Sequence, residues 1–592
     1  MQVVSYFNHL IMEKNKLSEV EHIKDKSQFL RGTLEESLIN PITGALFSED
    51  THLIKFHGSY QQADRDLDSE RKRQKLEPLY SFMIRVRLPG GIATPQQWLR
   101  MDELSTIYGN NTLKLTTRQA FQLHGIYKKD LKTTIQGFNE ALLDSIAGCG
   151  DVNRNVMSNP NPYQSNLHDA TYETAKAISA HLTPKTSSYW EIWLNGQAVN
   201  EDGEPKEPKA NALISRKKIE GDAEPIYGKT YLPRKFKIAI AVPPHNDTDI
   251  FSNDIGLIAI EKNNHLIGYN VSIGGGLGMT FGMPETYPRL ADLIGFVETE
   301  KVVDVCEKIV TIQRDWGNRE NRKLSRLKYT IDRVGLDVFK TELFKRLGYE
   351  LKQTVNYEFK SSGDAFGWSL NPNGNHNLTL FVEGGRIHDV ENYQLKTALK
   401  AVAQLGDCDF RLTGNQNLMI CNILPINKKL IQSILSHHGV LKTEVNHTGL
   451  RLNSIACVAL PTCTMAFAEA ERYLPQLIDK LDVMMQETGL EKEAIVIRMT
   501  GCPNGCGRPY LGEIGLVGKS MGRYNLYLGA AFNGDRLNKL YKEMLNETEI
   551  LATLQPIIAD FAQNRLPNEH FGDFTIRKHY VKATVHGQDF HH

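Results

Sequence analysis

The stretch "TLKLTTRQAFQLHGI" at residues 112–126 has a counterpart in "DFRLTGNQNLMICNI" at residues 409–423. Leu115, Thr116, Gln119 and Ile126 fall opposite Leu412, Thr413, Gln416 and Ile423 at one constant offset of 297 residues, which marks an internal duplication. Each copy alternates apolar and polar residues on either side of a short polar break, the pattern of strands. An earlier strand precedes each copy, "FMIRVRLPGG" (82–91) and "LTLFVEGGRI" (378–387), and Gly90-Gly91 matches Gly384-Gly385 at nearly the same offset. A helical pattern follows each, "LKTTIQGFNEALLDSI" (131–146) and "KLIQSILSHHG" (429–439). Two such copies predict a pseudo-twofold pair of α+β modules with a cofactor held between them.

The remaining chain must supply more than this pair, because 592 residues exceed what one hydrophobic core can organise. Apolar residues make up 41% and charged residues 23%, the composition of a globular chain. Lysine plus arginine equals aspartate plus glutamate at 69 each, so no overall field favours nucleic acid or an anionic membrane, and any basic site is local. The first twenty residues lack a basic region followed by an apolar core, and no run of eighteen apolar residues occurs, so the cytoplasm is the expected compartment. Residues 1–75 read as a charged, solvated arm, with Ser18 and Glu21 spaced for a capping box and a second reading as a partner-docking element. Residues 195–225 read as a long surface loop.

Eight cysteines are too few for a disulfide framework in a chain of this length. Four of them form two pairs, Cys457 and Cys463 in "CVALPTC" and Cys502 and Cys506 in "TGCPNGCG". Four thiolates suit zinc or an iron-sulfur cluster; neither pair has the C-x2-C knuckle usual for zinc, which favours a cluster, and unliganded core cysteines are the third reading. Gly501, Gly505 and Gly507 would let backbone approach bulky sulfur. Ala466, Ala470, Leu474, Leu477, Leu481 and Met485 recur at helical spacing after Cys463, and "EAIVIRM" (493–499) reads as a strand leading to Cys502. Cys149, Cys306, Cys408 and Cys421 are isolated and read as structural.

The paired cysteines, together with "FMIRVRLPGG", "LTTRQAFQLHG", "DVNRNV", "YLPRKFK", "QRDWGNR" and "GDFTIR", closely resemble the motifs of the siroheme and 4Fe-4S sulfite and nitrite reductases, in the same order over nearly the whole chain. Within that family the similarity is to the haemoprotein subunits of the NADPH-dependent assimilatory type. The resemblance implies ferredoxin-like half-domains at 76–149 and 351–440, and mixed α/β siroheme and iron-sulfur modules at 150–350 and 441–592. It implies a cluster on Cys457, Cys463, Cys502 and Cys506, with Cys506 also bridging to the siroheme iron. Arg85, Arg154, Lys235 and Lys237 would hold sulfite and supply protons, guanidinium through fixed bidentate bonds and ammonium as a mobile donor. Alternation in "RKFK" puts both lysines on one face of a strand.

Lys114, Arg118, Gln122, His124, Asn155 and Arg326 would surround the siroheme; Lys114 stands where better-known members have arginine, and Arg326 where they have lysine. "GGGLG" (274–278) lacks the third glycine of a dinucleotide loop and in the family packs beside the macrocycle. The expected activity is six-electron reduction of sulfite to sulfide, with nitrite reduction as the alternative; the family tends to place asparagine at the position of Lys237 in nitrite reductases. No flavin or NADPH motif is present, so a separate flavoprotein (alpha) subunit is the expected donor, with ferredoxin as the alternative. A non-catalytic binding module, on RNA for instance, is disfavoured by the lack of a basic stripe.

Overall fold

The computed structural model describes residues 17–160, 166–195, 198–199, 205–206, 224–441 and 447–591. Most of the 195–225 stretch read as a loop therefore lies outside the described residues.

The duplication folds as two five-stranded sheets that exchange their edges. Strands Ser59–Ala63, Tyr80–Val86, Phe121–Ile126 and Leu113–Leu115 form the first sheet in that order, and it is completed by Arg386–Ile387 from the second copy. Strands Gly367–Leu370, His376–Leu380, Leu418–Ile423 and Asp409–Leu412 form the second, completed by Ile92–Ala93 from the first. The registers agree: Arg386 faces Lys114 as Arg411 faces Ile92. Gly90-Gly91 and Gly384-Gly385 make the turns that throw each strand across, all four at positive φ, where a side chain is strained. Helices Pro95–Ile107 and Leu395–Gln404 pack on each other, and Trp98 stacks on Phe410 at 4.4 Å between ring centroids. The first of these helices escaped the sequence reading, although Thr94 and Gln97 form a capping box with Pro95 in the first turn.

A four-stranded sheet runs in the order Asp292–Glu298, His265–Ile273, Ile255–Lys262, Ile238–Ala241, against helices Asn166–His181 and Val302–Trp316. The last sheet begins with three parallel strands, Ser454–Ala456, Ile497–Thr500 and Ile514–Ser520, and has its own core beneath helices Leu474–Glu487 and Glu547–Asn564. Because Ala456 lies beside Met499 in parallel register, the chain leaves both strands at the same edge, and the loops bearing Cys457 and Cys502 start side by side. Ligands sit at such carboxyl ends in parallel sheets.

Three expectations need correction. Residues 17–63 are built into the body: Leu30, Leu34, Leu53, Ile54 and Phe56 join the main core, and Ser59–Ala63 supplies a sheet edge. The short helix Asp68–Arg73 has no buried residue. Helix Glu19–Lys26 does start after Ser18, but Ser18 makes no side-chain cap; Glu21 is drawn instead to Lys24 and Arg319, each at 2.5 Å. The helix expected from about 466 begins at Leu474, with Pro475 in its first turn; Ala466 and Ala470 are buried without being helical.

Candidate functional site

Cys457 and Cys463 come from the loop after the first parallel strand, and Cys502 and Cys506 from the loop after the second. The four sulfurs lie within electrostatic reach: burial pushes the Cys457 thiol well up, reinforced by Cys506, Cys502 and Cys463. Burial and Cys506 likewise push Cys502 up to about 12. Burial raises Cys463 as well, and three neighbouring thiols that resist ionisation need a compensating cation before they can act as thiolates, which fits a metal cluster. Donors already point at the sulfurs, with Gly501 N–H 3.5 Å from Cys457 Sγ and Asn504 Nδ2 3.5 Å from Cys502 Sγ. The missing side chains make room for neighbouring backbone rather than for the sulfurs: a Cβ on Gly501 would lie 2.4 Å from Ala468 O, and one on Gly507 2.7 Å from Met499 O.

Cys506 is the exposed member of the four, and it faces the basic side of the molecule. Its charge is felt at both Arg85 and Lys235, and its carbonyl accepts from Thr117 Oγ1 at 3.1 Å. Lys235 and Lys237 stand just before the strand Ile238–Ala241, on either side of buried Phe236, so the expected alternation holds although the regular strand starts one residue later. Burial lowers Lys235 to about 7, reinforced by Arg234, Arg326 and Arg154 against the pull of Cys506. Burial and Lys235 hold Lys237 well below the usual lysine range. Among the described residues neither lysine, nor Arg85, nor Arg154 has a carboxylate in ion-pair range. Two lysines this poorly hydrated, beside arginines without a carboxylate, call for an anionic ligand.

The loop Gly148-Cys149-Gly150 holds both arginines. Gly148 O accepts from Arg85 at 3.4 Å and from Arg154 at 3.3 Å, Gly150 O accepts twice from Arg154 at 2.8 and 2.6 Å, and Arg85 Nη1 donates to Cys149 Sγ at 3.1 Å. Cys149 therefore belongs to the site, against its reading as an isolated structural thiol. Burial raises the Cys306, Cys408 and Cys421 thiols, which are core residues as expected.

The residues expected around a tetrapyrrole divide into two groups. Arg118, Gln122, His124 and Arg326 form two linked sets: Arg85 donates to Gln122 Oε1 at 3.0 Å and Gln122 Nε2 contacts His124 Nε2 at 2.8 Å, while Arg326 pairs with Asp254 at 2.8 Å and both lie within electrostatic reach of Arg118. Burial, then Arg386, holds His124 well below its usual range, leaving it neutral. Arg118 bonds Asn253 Oδ1 at 2.9 Å and Asn155 O at 2.6 Å, while its buried Nε has no hydrogen-bond partner among the described residues. Lys114 and Asn155 are committed elsewhere. Lys114 is 2% exposed, bound to Glu471 at 2.8 Å and to Gly384 O. Burial would raise Glu471, but Lys114 and Arg386 hold it down to about 2. Asn155 latches Leu88 N and O and the carbonyls of residues 118 and 119. Both position the loops of the site rather than presenting a free group to it.

"GGGLG" packs on the cysteine loop, with Met279 N–H donating to Pro503 O at 3.0 Å, and a Cβ on Gly276 would lie 3.0 Å from Arg326 Nη2. Sequence reading missed Tyr60, Arg234 and Asp254. Tyr60 is half-buried on the edge strand, near Cys149, Arg154 and Arg85. Nothing local in "GSYQQA" marks it; Arg234, by contrast, is the arginine of the quoted "YLPRKFK".

The model for the nitrite/sulfite reductase ferredoxin-like half domain matches residues 74–141 and 370–437, and that for the nitrite and sulphite reductase 4Fe-4S domain matches residues 175–351. The chain belongs to the nitrite and sulphite reductase family. It is 56% identical to the sulfite reductase [NADPH] hemoprotein beta-component of Staphylococcus haemolyticus over 97% of each chain. It is 55% identical to that of Staphylococcus epidermidis over 100% of each, and 54% identical to that of Oceanobacillus iheyensis over 99% of this chain and 98% of the other. The NirA protein of Mycobacterium tuberculosis has the same fold, with a TM-score of 0.77 over 96% of this chain and 98% of that one, at 22% identity. Among the described residues no helix is long and apolar enough to cross a membrane.

Proposed function

We propose that this family member is the haemoprotein subunit of an NADPH-dependent assimilatory sulfite reductase, reducing sulfite to sulfide with electrons from a separate flavoprotein, in the cytoplasm. The observation that carries the reading is the set of four cations without carboxylate partners among the described residues, Arg85, Arg154, Lys235 and Lys237, gathered on the face of the chain that Cys506 presents.

Cys457, Cys463, Cys502 and Cys506 would hold a 4Fe-4S cluster, with Cys506 shared with siroheme, and Arg118, Gln122, His124 and Arg326 would lie around the tetrapyrrole. Bound together, the two groups supply the electrons one at a time. The protein's own part is electrostatic and protonic. Arg85 and Arg154, fixed by the 148–150 loop, bind sulfite oxygens through oriented guanidinium groups. Lys235, lowered to about 7, can release a proton near neutrality and be recharged from solvent, which suits loss of each oxygen as water. Lys114 and Asn155 act one step back by fixing the strand and loops that carry Arg118 and Gln122.

An optical and EPR spectrum of the purified chain, followed by reduced-viologen assays with sulfite and nitrite, tests the reading. A chain lacking siroheme absorption, or one turning over nitrite and not sulfite, would contradict it. NADPH with the cognate flavoprotein, run against reduced ferredoxin, identifies the donor.

A further inference from the structure

Asp249 lies in the turn between strands Ile238–Ala241 and Ile255–Lys262, 1% exposed and at φ 46°. Its carboxylate reaches across to the cysteine-bearing module. Arg498 donates to it at 2.6 and 3.4 Å, and Arg508 Nη1 lies 2.9 Å from Oδ2. Arg498 is on the strand that runs into Cys502, and Arg508 follows Cys506 by two residues. One carboxylate from a different module thus grips the cysteine loop at both ends.

The grip continues on both sides. Asp249 O accepts from Asn253 Nδ2 at 3.1 Å, and Asn253 Oδ1 accepts from Arg118 at 2.9 Å, so the turn joins the tetrapyrrole-side arginine to the cysteine loop. Arg508 also donates to Gly414 O and to Asn415 Oδ1, in the turn of the second half-domain whose duplicate carries Thr117, the residue bonded to Cys506 O. Both copies of the duplicated turn therefore touch one loop, and Asp249 sets its orientation against them. The three charges are buried, with Arg498 1% and Arg508 6% exposed; the Nε of each arginine and Nη1 of Arg508 have no hydrogen-bond partner among the described residues, so Arg508 meets Asp249 as an ion pair alone. In such surroundings each charge acts strongly on its neighbours.

We infer that Asp249 is a positioning residue for the cluster loop, fixing where Cys506 stands relative to the tetrapyrrole side and lowering the cluster's reduction potential. The inference rests on the cofactor assignment above. Its sign follows from charge: without Asp249 the two buried guanidinium groups lose the carboxylate they share, and although Asp364 and Asp247 stay within electrostatic reach of Arg508, the net positive charge beside the cluster rises, which favours the reduced form.

The test is an EPR-monitored redox titration of the wild-type holoenzyme and Asp249→Asn, with iron, labile sulfide and siroheme counted in both. Asp249→Asn should shift the cluster potential to more positive values and alter the siroheme signal, and Asp249→Glu should move the potential back towards wild type. A wild-type potential and siroheme signal in Asp249→Asn, or no recovery in Asp249→Glu, overturns the inference. If Asp249→Asn does not accumulate, Arg508→Lys is read in the same titration: it keeps the charge and removes the fork, so a changed siroheme signal supports the role and an unchanged one removes it. Wild-type protein without a cluster would instead defeat the cofactor assignment.

Discussion

A Cβ added to Gly91 would lie 2.6 Å from the carbonyl oxygen of Leu412, in the other half of the duplication. Its symmetry mate Gly385 stands in the same relation to Leu115, also at 2.6 Å. These two close approaches let each half-domain hand an edge strand to the other, so the halves cannot separate without breaking both sheets.

Gly91→Ala and Gly385→Ala should each destabilise the chain by about 2 kcal/mol or more, since each residue is at positive φ and its new methyl would meet backbone. Chemical denaturation of the two variants should give similar losses. A loss below about 0.5 kcal/mol in either would mean the crossing turns tolerate a side chain and the symmetry is not under strain.

Acid stability should depend on Asp151. Burial would raise its carboxyl, but Arg322, Lys24 and Arg234 hold it well below the usual range. A depressed folded-state pKa means the stabilising contribution is complete above the ordinary carboxylate range and is lost as pH falls through that range towards the folded value. Asp151→Asn should lower stability at pH 7 and flatten the decline between about pH 5 and pH 2. Denaturation curves across that window with unchanged slope would show that other carboxylates set it.

Lys237→Asn should lower kcat/KM for sulfite by about tenfold or more and raise the nitrite-to-sulfite ratio, because it removes one of two adjacent cations. Equal ratios in variant and wild type would detach anion choice from this position.

Cys506→Ser should break the coupling of siroheme to cluster in EPR and abolish sulfite turnover with reduced viologen, while leaving the core beneath the cysteine loops unaffected, as Cys506 is exposed. Full turnover in the variant would refute the bridging role.

Deletion of residues 1–60 removes Leu30, Leu34, Leu53, Ile54 and Phe56 from the main core and part of a sheet edge. It should abolish viologen-driven and NADPH-driven activity together and lower the yield of folded protein. Loss confined to the NADPH assay would show that this segment serves partner docking alone.

The repeated Leu-Thr-x-x-Gln pattern, the glycine pairs and the two cysteine pairs were legible because each reports a local requirement: strand alternation, positive φ, thiolate ligation. They sufficed for the α+β duplication and the strands flanking each break; the cation set beside Cys506 was offered only by the resemblance to the family's motifs. The exchange of edge strands was not legible, because Arg386–Ile387 and Ile92–Ala93 are two residues long and their partners lie in the other copy. Nor was the use made of a charge. Lys114 and Arg118 are four residues apart in one motif, yet Lys114 is neutralised by Glu471, far along the chain, while Arg118 keeps a buried Nε without a partner among the described residues. Cys149 reads as an isolated thiol until Arg85 is placed 3.1 Å away. Residue type and spacing set which chemistry this chain can carry. Which cations are left free to meet an anion depends on where distant carboxylates fall, and long-range packing decides that.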